Sequence, residues 1–275
     1  MLLSLAIQTP EVPVRVPVAL LCGSLPEQLR EASEMGYDGV ELITTDPASI
    51  DRNALQALLS QHKLNVSAIA SGGMAFAAKL TLLHADAAIA ATARQRLDEM
   101  IDLAADLDAP VVTVGSFRGR NVGDAQTSRK GLGDILCDAA NHAAVRNVRL
   151  ALEPLNRYEG DILRTAAETL AFLDEFRHPS LGILLDTYHV NIEESSWTEP
   201  YRHVMEAGKL YYVHLGDNNR RPPGQGLIDF PAILRTLKRG GYDGWLSAEL
   251  LPLPDPDTAA RLTAQAMRAW MSEVQ

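Results

Sequence analysis

VRLALEPLNRYEGDILRTAAETLAFLDEFRHPSLGILLDT, residues 148–187, holds the pattern that decides the fold. Two short apolar runs, VRLALEP (148–154) and LGILLDT (181–187), flank TAAETLAFLDEF, whose apolar residues recur at helical spacing. The runs are apolar almost throughout, as strands are when helices cover both faces of a parallel sheet. The stretch therefore reads as one strand–helix–strand unit. Each strand ends on an acid, Glu153 and Asp186.

The same alternation extends in both directions. Further strand candidates are PVALLC (17–22), DGVELI (38–43), NVSAIAS (65–71), PVVTVGS (110–116), KLYYVHLGD (209–217) and GWLSAEL (244–250). Residues 2–8 compete with 17–22 for the first strand. Helical patterns lie between them. LPEQLREASEMG opens after Ser24, an N-cap type, and closes at Gly36, a C-cap type. ARQRLDEMIDLAADLD carries Leu97, Met100, Ile101 and Ala104 on one face. Eight strands alternating with helices across 275 residues predict a (β/α)8 TIM barrel, one domain over residues 1–275, at about 34 residues per unit. A doubly wound open sheet lacks its GxGxxG signal at the first turn.

Composition narrows the partners. A net charge of -10 argues against nucleic acid and against anionic membrane, both of which select basic faces. No run approaches the roughly 18 apolar residues of a membrane helix. The opening MLLSLAIQTPEVPV has no basic leader and soon meets Pro10, so no signal peptide is expected. The two cysteines, Cys22 and Cys137, form no CxxC pair and no disulfide framework, so a reducing cytoplasm is the expected location.

Four polar residues stand at the ends of the last four strand candidates: Glu153, Asp186, His214 and Glu249. They lie 33, 28 and 35 residues apart, each step close to one strand–helix unit. In a barrel, consecutive strand ends share one mouth, so this spacing brings all four together. Taken singly, a strand-end acid often caps the next helix, and a strand histidine is often just satisfied in the core. Taken together, three carboxylates and an imidazole would repel without a cation. Their oxygen-rich chemistry points to one divalent ion, Mn²⁺ first, with Mg²⁺, Co²⁺ or Zn²⁺ as alternatives.

ALEPLNRYEGDIL (151–163), GILLDTYHVNIEE (182–194), YYVHLGDNNRRPPGQGLIDF (211–230) and LSAEL (246–250) resemble the xylose-isomerase-like barrel superfamily, and within it the D-tagatose 3-epimerase and sugar-phosphate isomerase/epimerase branch. The resemblance implies metal ligands at Glu153, Asp186, His214 and Glu249. It implies catalytic acid/base roles for Glu153 and Glu249, and substrate-binding roles for Glu159, His189 and Arg220. It also implies a homodimer or homotetramer, for which no interface is readable. The fourth-strand loop VGSFRGRN departs from the family, which often places an aromatic wall there; Phe117 is the substitute on offer.

The implied chemistry is removal of a carbon-bound proton beside a carbonyl. The enediolate so formed needs its charge stabilised, which a divalent metal does as a Lewis acid. Two carboxylates on opposite faces can take and return the proton in turn. Arg118 and Arg120, after the fourth strand, are expected either to meet a substrate phosphate or carboxylate or to be solvated loop residues. The substrate is thus a sugar, a sugar phosphate or a sugar-derived acid. An epimerase or isomerase of a ketose or ketose phosphate is the first reading. The alternative is a metal-dependent lyase, a dehydratase or decarboxylase of a keto-acid or inositol-like compound.

Overall fold

The computed structural model describes residues 1–274. Eight strands are hydrogen-bonded in chain order into a closed parallel barrel: β1 (Leu2–Gln8), β2 (Gly39–Ile43), β3 (Asn65–Ala70), β4 (Val111–Val114), β5 (Arg149–Leu152), β6 (Leu181–Asp186), β7 (Leu210–Leu215) and β8 (Trp245–Ala248). Helices connect each strand to the next across the outside, the longest being Ala87–Asp106, Ala125–Val145 and Pro256–Glu273. This is the single-domain (β/α)8 barrel that the alternating pattern predicts. No helix among the described residues is long and apolar enough to cross a membrane.

The period-two geometry of a strand explains how an almost wholly apolar sequence places polar groups inward. On β6, Ile183 and Leu185 join the large core between sheet and helices, while Leu184 packs inside the barrel. Asp186, two residues on, shares the inward parity of Leu184. The same parity puts Tyr212 and His214 inside on β7, and Ala151 and Glu153 inside at β5. Trp245 fills the barrel floor beneath Ser247 and Glu249.

The first strand corrects one expectation. Residues 2–8 form β1, and 17–22 form no strand. Leu2–Leu5 pair with β8 and Ser4–Gln8 pair with β2, so this run closes the barrel. Pro17 lacks the donor that a central strand needs, and Pro13 shortly precedes it. The segment instead folds over the mouth. Leu20 N–H donates to Ala6 O at 2.8 Å, and the Arg15 guanidinium donates to the carbonyls of Ala19 and Leu21. Ala19, Leu20 and Leu21 are fully buried there. Their apolarity is thus real, but it serves packing between loop and barrel.

The first helix, Leu25–Glu34, starts as expected. Ser24 forms a capping box with Glu27, and Gly36 beyond its end has φ +84°.

Candidate metal centre and active site

Glu153, Asp186, His214 and Glu249 converge at the C-terminal mouth, where each offers one ligand atom within 4.8 Å of the others. His214 Nδ1 lies 3.5 Å from Glu153 Oε1 and 3.7 Å from Glu249 Oε2. Glu153 Oε1, Asp186 Oδ2 and His214 Nδ1 are all buried without a hydrogen-bond partner among the described residues. Three orphaned acceptors turned toward one point are costly unless something positive is bound among them. A carboxylate-rich donor set with one imidazole is what a hard or borderline divalent cation takes. The residues therefore fit such an ion.

Asp186 does two things at once. Its Oδ1 accepts from Tyr188 N–H at 2.8 Å and so caps the short helix Thr187–Glu193, while Oδ2 faces the cluster. Capping thereby fixes the rotamer that presents the free oxygen. Glu153 follows β5, and Gly115 after β4 faces it. A Cβ on Gly115 would strike the Glu153 carboxylate, so the glycine makes its room.

Buried together, the charges of the cluster shift one another's protonation. Burial pushes Asp186 up to about 8; Arg220 opposes this, and the charges of Glu153 and Glu249 add to it. Burial likewise raises Glu153, opposed by the neighbouring His214 ring and reinforced by Glu249. At Glu249 burial is outweighed by the positive charges of His214 and Arg220, so its pKa is lowered. At His214 burial is outweighed by the carboxylates of Glu41 and Glu249, so its pKa lies well above the ordinary range. His189 goes the other way. Burial, helped by Arg220, keeps it well below 6.5 and hence neutral.

His189 has a defined tautomer. Its Nδ1 receives the Asn156 side-chain amide at 2.7 Å and the Asn156 backbone N–H at 3.4 Å. Nδ1 is therefore the acceptor, and Nε2 carries the hydrogen. That Nε2 stands 3.7 Å from Glu153 Oε1 and 3.8 Å from Asp186 Oδ2. Asn156 also donates to Glu159 Oε1 at 3.0 Å. Arg220 links the far side, donating to Glu159 Oε1 at 3.1 Å and to Glu249 Oε2 at 2.9 Å, with its guanidinium over the Tyr188 ring.

Arg220 holds a left-handed backbone, φ +57°, in the loop after β7. Asp217 imposes that shape. Its carboxylate is fully buried and accepts four backbone N–H groups: Asn218, Gly224, Gly226 and Ile228. A carboxylate saturated by backbone donors stiffens a loop that has no secondary structure of its own.

The mouth holds a cavity of about 60 Å³, lined by Glu41, Glu153, Glu159, His189, His214, Arg220 and Glu249, with Ala6, Val18, Ile43, Thr113 and Ser116 among its walls. Arg118 is not in it, which corrects its expected substrate role. The side chain is fully buried and donates to the carbonyls of Glu153, Ile162 and Leu163. It braces the loop after β5 from behind. Burial lowers its pKa to about 10, still charged at neutral pH. Phe117 is fully buried too and walls no substrate. Arg120 is exposed and donates to the carbonyls of Tyr158 and Glu159.

Glu41, Asn156 and Asp217 were missed by the sequence reading. Glu41 did leave a signal: it is the one charged residue within the apolar run GVELI. A buried acid in such a strand demands a partner. Asn156 and Asp217 left none, because asparagine and aspartate are ordinary in loops.

Comparison with known proteins agrees with this geometry. The model of the xylose isomerase-like TIM barrel family matches residues 29–272. Ketose 3-epimerase of Arthrobacter globiformis is 33% identical over 219 residues, covering 78% of this chain and 74% of that protein. L-ribulose 3-epimerase of Mesorhizobium japonicum is 34% identical over 228 residues, covering 82% and 75%. A solved structure of L-ribulose 3-epimerase superposes with a TM-score of 0.82 at 27% identity, covering 98% of this chain and 95% of that one. The chain belongs to the xylose isomerase-like TIM barrel family, and its relatives here are ketose 3-epimerases, enzymes of the isomerase class.

Proposed function

We propose that this family member is a divalent-metal-dependent ketose 3-epimerase with Glu153 and Glu249 as its proton-transferring pair. The observation that carries the reading is the convergence of Glu153, Asp186, His214 and Glu249 around buried, unpartnered ligand atoms. Those four residues would hold the ion, Mn²⁺ by donor chemistry with Mg²⁺, Co²⁺ and Zn²⁺ as alternatives. When bound, it supplies Lewis-acid stabilisation of negative charge on the substrate oxygens.

The protein's own groups do the rest. One glutamate removes the proton on the carbon beside the carbonyl, and the bonding pair moves into the carbon–carbon bond as the carbonyl oxygen gains charge. The other glutamate returns a proton to the opposite face of that carbon. The two are not interchangeable. Glu249 accepts from the Arg220 guanidinium at 2.9 Å, whereas Glu153 is buried and has only the neutral His189 ring, 3.7 Å away, on that side. Unequal environments of this kind separate acid from base. Neutral His189 aims its Nε2–H into the site as a donor to oxygen, and Arg220 adds fixed positive potential. Glu159 orients Arg220 from outside.

The substrate is best read as a free ketose. Arg118 is committed to three carbonyls, so the phosphate or carboxylate contact expected of it is gone. The lyase alternative leaned on Arg118 and Arg120 together, and Arg120 too is bonded to carbonyls, those of Tyr158 and Glu159.

The test is incubation of the Mn²⁺-loaded protein with a panel of free ketoses in D₂O, followed by NMR. Formation of the epimer with deuterium on the carbon beside the carbonyl is expected. No exchange and no product across ketoses and ketose phosphates would overturn the proposal.

A further inference from the structure

Glu41 sits on β2, on the opposite side of the barrel from most of the ligands, yet both its carboxylate oxygens contact His214 Nε2, at 3.1 and 3.0 Å. Its side chain is 1% exposed, and among the described residues its ion pairs are with His214 alone. A second anchor fixes it from below. The Tyr212 hydroxyl lies 3.4 Å from Glu41 Oε2, 2.6 Å from Ser67 Oγ and 3.3 Å from Ser4 Oγ. Four strands, β1, β2, β3 and β7, thus contribute to one polar chain inside the barrel.

A carboxylate can only accept. The Nε2 of His214 must therefore carry a hydrogen, so the neutral ring that a metal would take offers its lone pair at Nδ1. Nδ1 is the buried, unpartnered atom that faces Glu153 and Glu249. The ring has two nitrogens of similar basicity, and nothing in His214 itself selects between them.

We propose that Glu41 is a positioning residue: it fixes the tautomer and ring orientation of His214 so that Nδ1 is the metal-ligating nitrogen, and the negative charge it places behind the ring strengthens that ligand. Outer carboxylates behind ligating histidines act in this way in other metal sites. The inference rests on the metal reading above. It adds to the site a residue from the half of the barrel that contributes no ligand.

The experiment is Co²⁺ titration of wild type, Glu41→Gln and Glu41→Ala, followed by visible absorption and calorimetry. The thermal unfolding of each metal-free protein is measured alongside. Gln keeps an acceptor for Nε2–H but drops the charge, so its Co²⁺ affinity should fall about 10-fold; Ala loses both and should fall toward 100-fold. Both should bind with an altered Co²⁺ spectrum and retain a cooperative thermal transition. A residue that served only packing would lower the transition temperature and leave affinity and spectrum unmoved, and that result overturns the inference. A further readout needs no variant. In wild type labelled with ¹⁵N-histidine and loaded with Mg²⁺, the His214 Nε2 should show the shift and one-bond coupling of a protonated nitrogen. A proton on Nδ1 instead overturns the inference. Failure of wild type to take up Co²⁺ would bring down the metal reading together with it, whereas equal binding by wild type and both variants would bring down the role of Glu41 alone.

Discussion

Strands β5–β8 run out into Glu153, Asp186, His214 and Glu249, whereas β1–β4 run out into Thr9, Thr44, Ser71 and Gly115. The loops repeat the contrast. Asn156, Glu159, His189 and Arg220 all follow strands of the second half. The first half supplies walls: Ala6, Val18, Ile43, Thr113 and Ser116 line the mouth. One half therefore carries the proposed chemistry and the other shapes the space in which it happens. Glu41 and Arg118 are among the residues that cross the divide. Glu41 reaches from β2 to His214, and Arg118 reaches from the loop after β4 to the carbonyls behind Glu153. The first half thus sets how the second half's ligands stand without being one of them.

The contrast can be broken most decisively at Glu249. Glu249→Gln should lower kcat by about 10²- to 10⁴-fold, the usual worth of a positioned acid or base. Turnover within threefold of wild type, with Co²⁺ still bound, would remove the two-glutamate assignment.

Next in size is the pH response of the metal-free protein. The pKa of Asp186 is raised to about 8 and that of His214 is raised as well, so the folded state keeps protons that the unfolded state has lost. Stability from these groups is fully present below their unfolded pKa values and is lost as pH rises through the folded ones. The stability of the metal-free protein should therefore fall between pH 5 and 8, by an amount on the order of a few kcal/mol, and its thermal midpoint should fall with it. The rise caused by adding Mn²⁺ should grow over the same range, since binding displaces those protons. A midpoint independent of pH in calorimetry would contradict the buried-carboxylate picture.

Arg118→Met tests the brace. Three carbonyls would lose a charged donor, at a cost of about 2–4 kcal/mol in urea unfolding. Arg118→Lys should recover little, because one ammonium cannot reproduce a planar fork that reaches both ends of the loop after β5. If Arg118→Met changed ketose affinity without changing stability, the residue would belong to the substrate site after all.

The smallest effect is expected at the wall. Val18→Ala should shift the preference between competing ketoses by about tenfold, through kcat/KM, because lost methyl contacts in a pocket are worth little more than that. Its Co²⁺ affinity should match wild type. A loss of metal binding would show that the first half is not merely shape.

The second half was readable from the sequence because its constraints are local and periodic. A strand turns alternate residues inward, and one strand–helix unit has a narrow range of lengths. Glu153, Asp186, His214 and Glu249 obey both rules, so their meeting follows from spacing. Asp186 also shows the limit of choosing between roles, since its two oxygens serve as helix cap and as free ligand atom together.

What the sequence by itself determined is thus the barrel, its eight units and the four converging side chains, because short-range periodicity and chain length restrict those choices. What only the tertiary structure decided is direction and pairing. Residues 2–8 and 17–22 are both apolar enough for a strand, and the open edges of β2 and β8 chose the first. Arg118 and Arg120 differ by two positions, yet the three-residue turn Ser116–Arg118 and Gly119, at φ +84°, send one into the protein and the other to solvent. Glu41 stands 173 residues from His214. No local rule joins them, because their contact exists only once the barrel closes and a buried charge must find the partner that closure puts in reach.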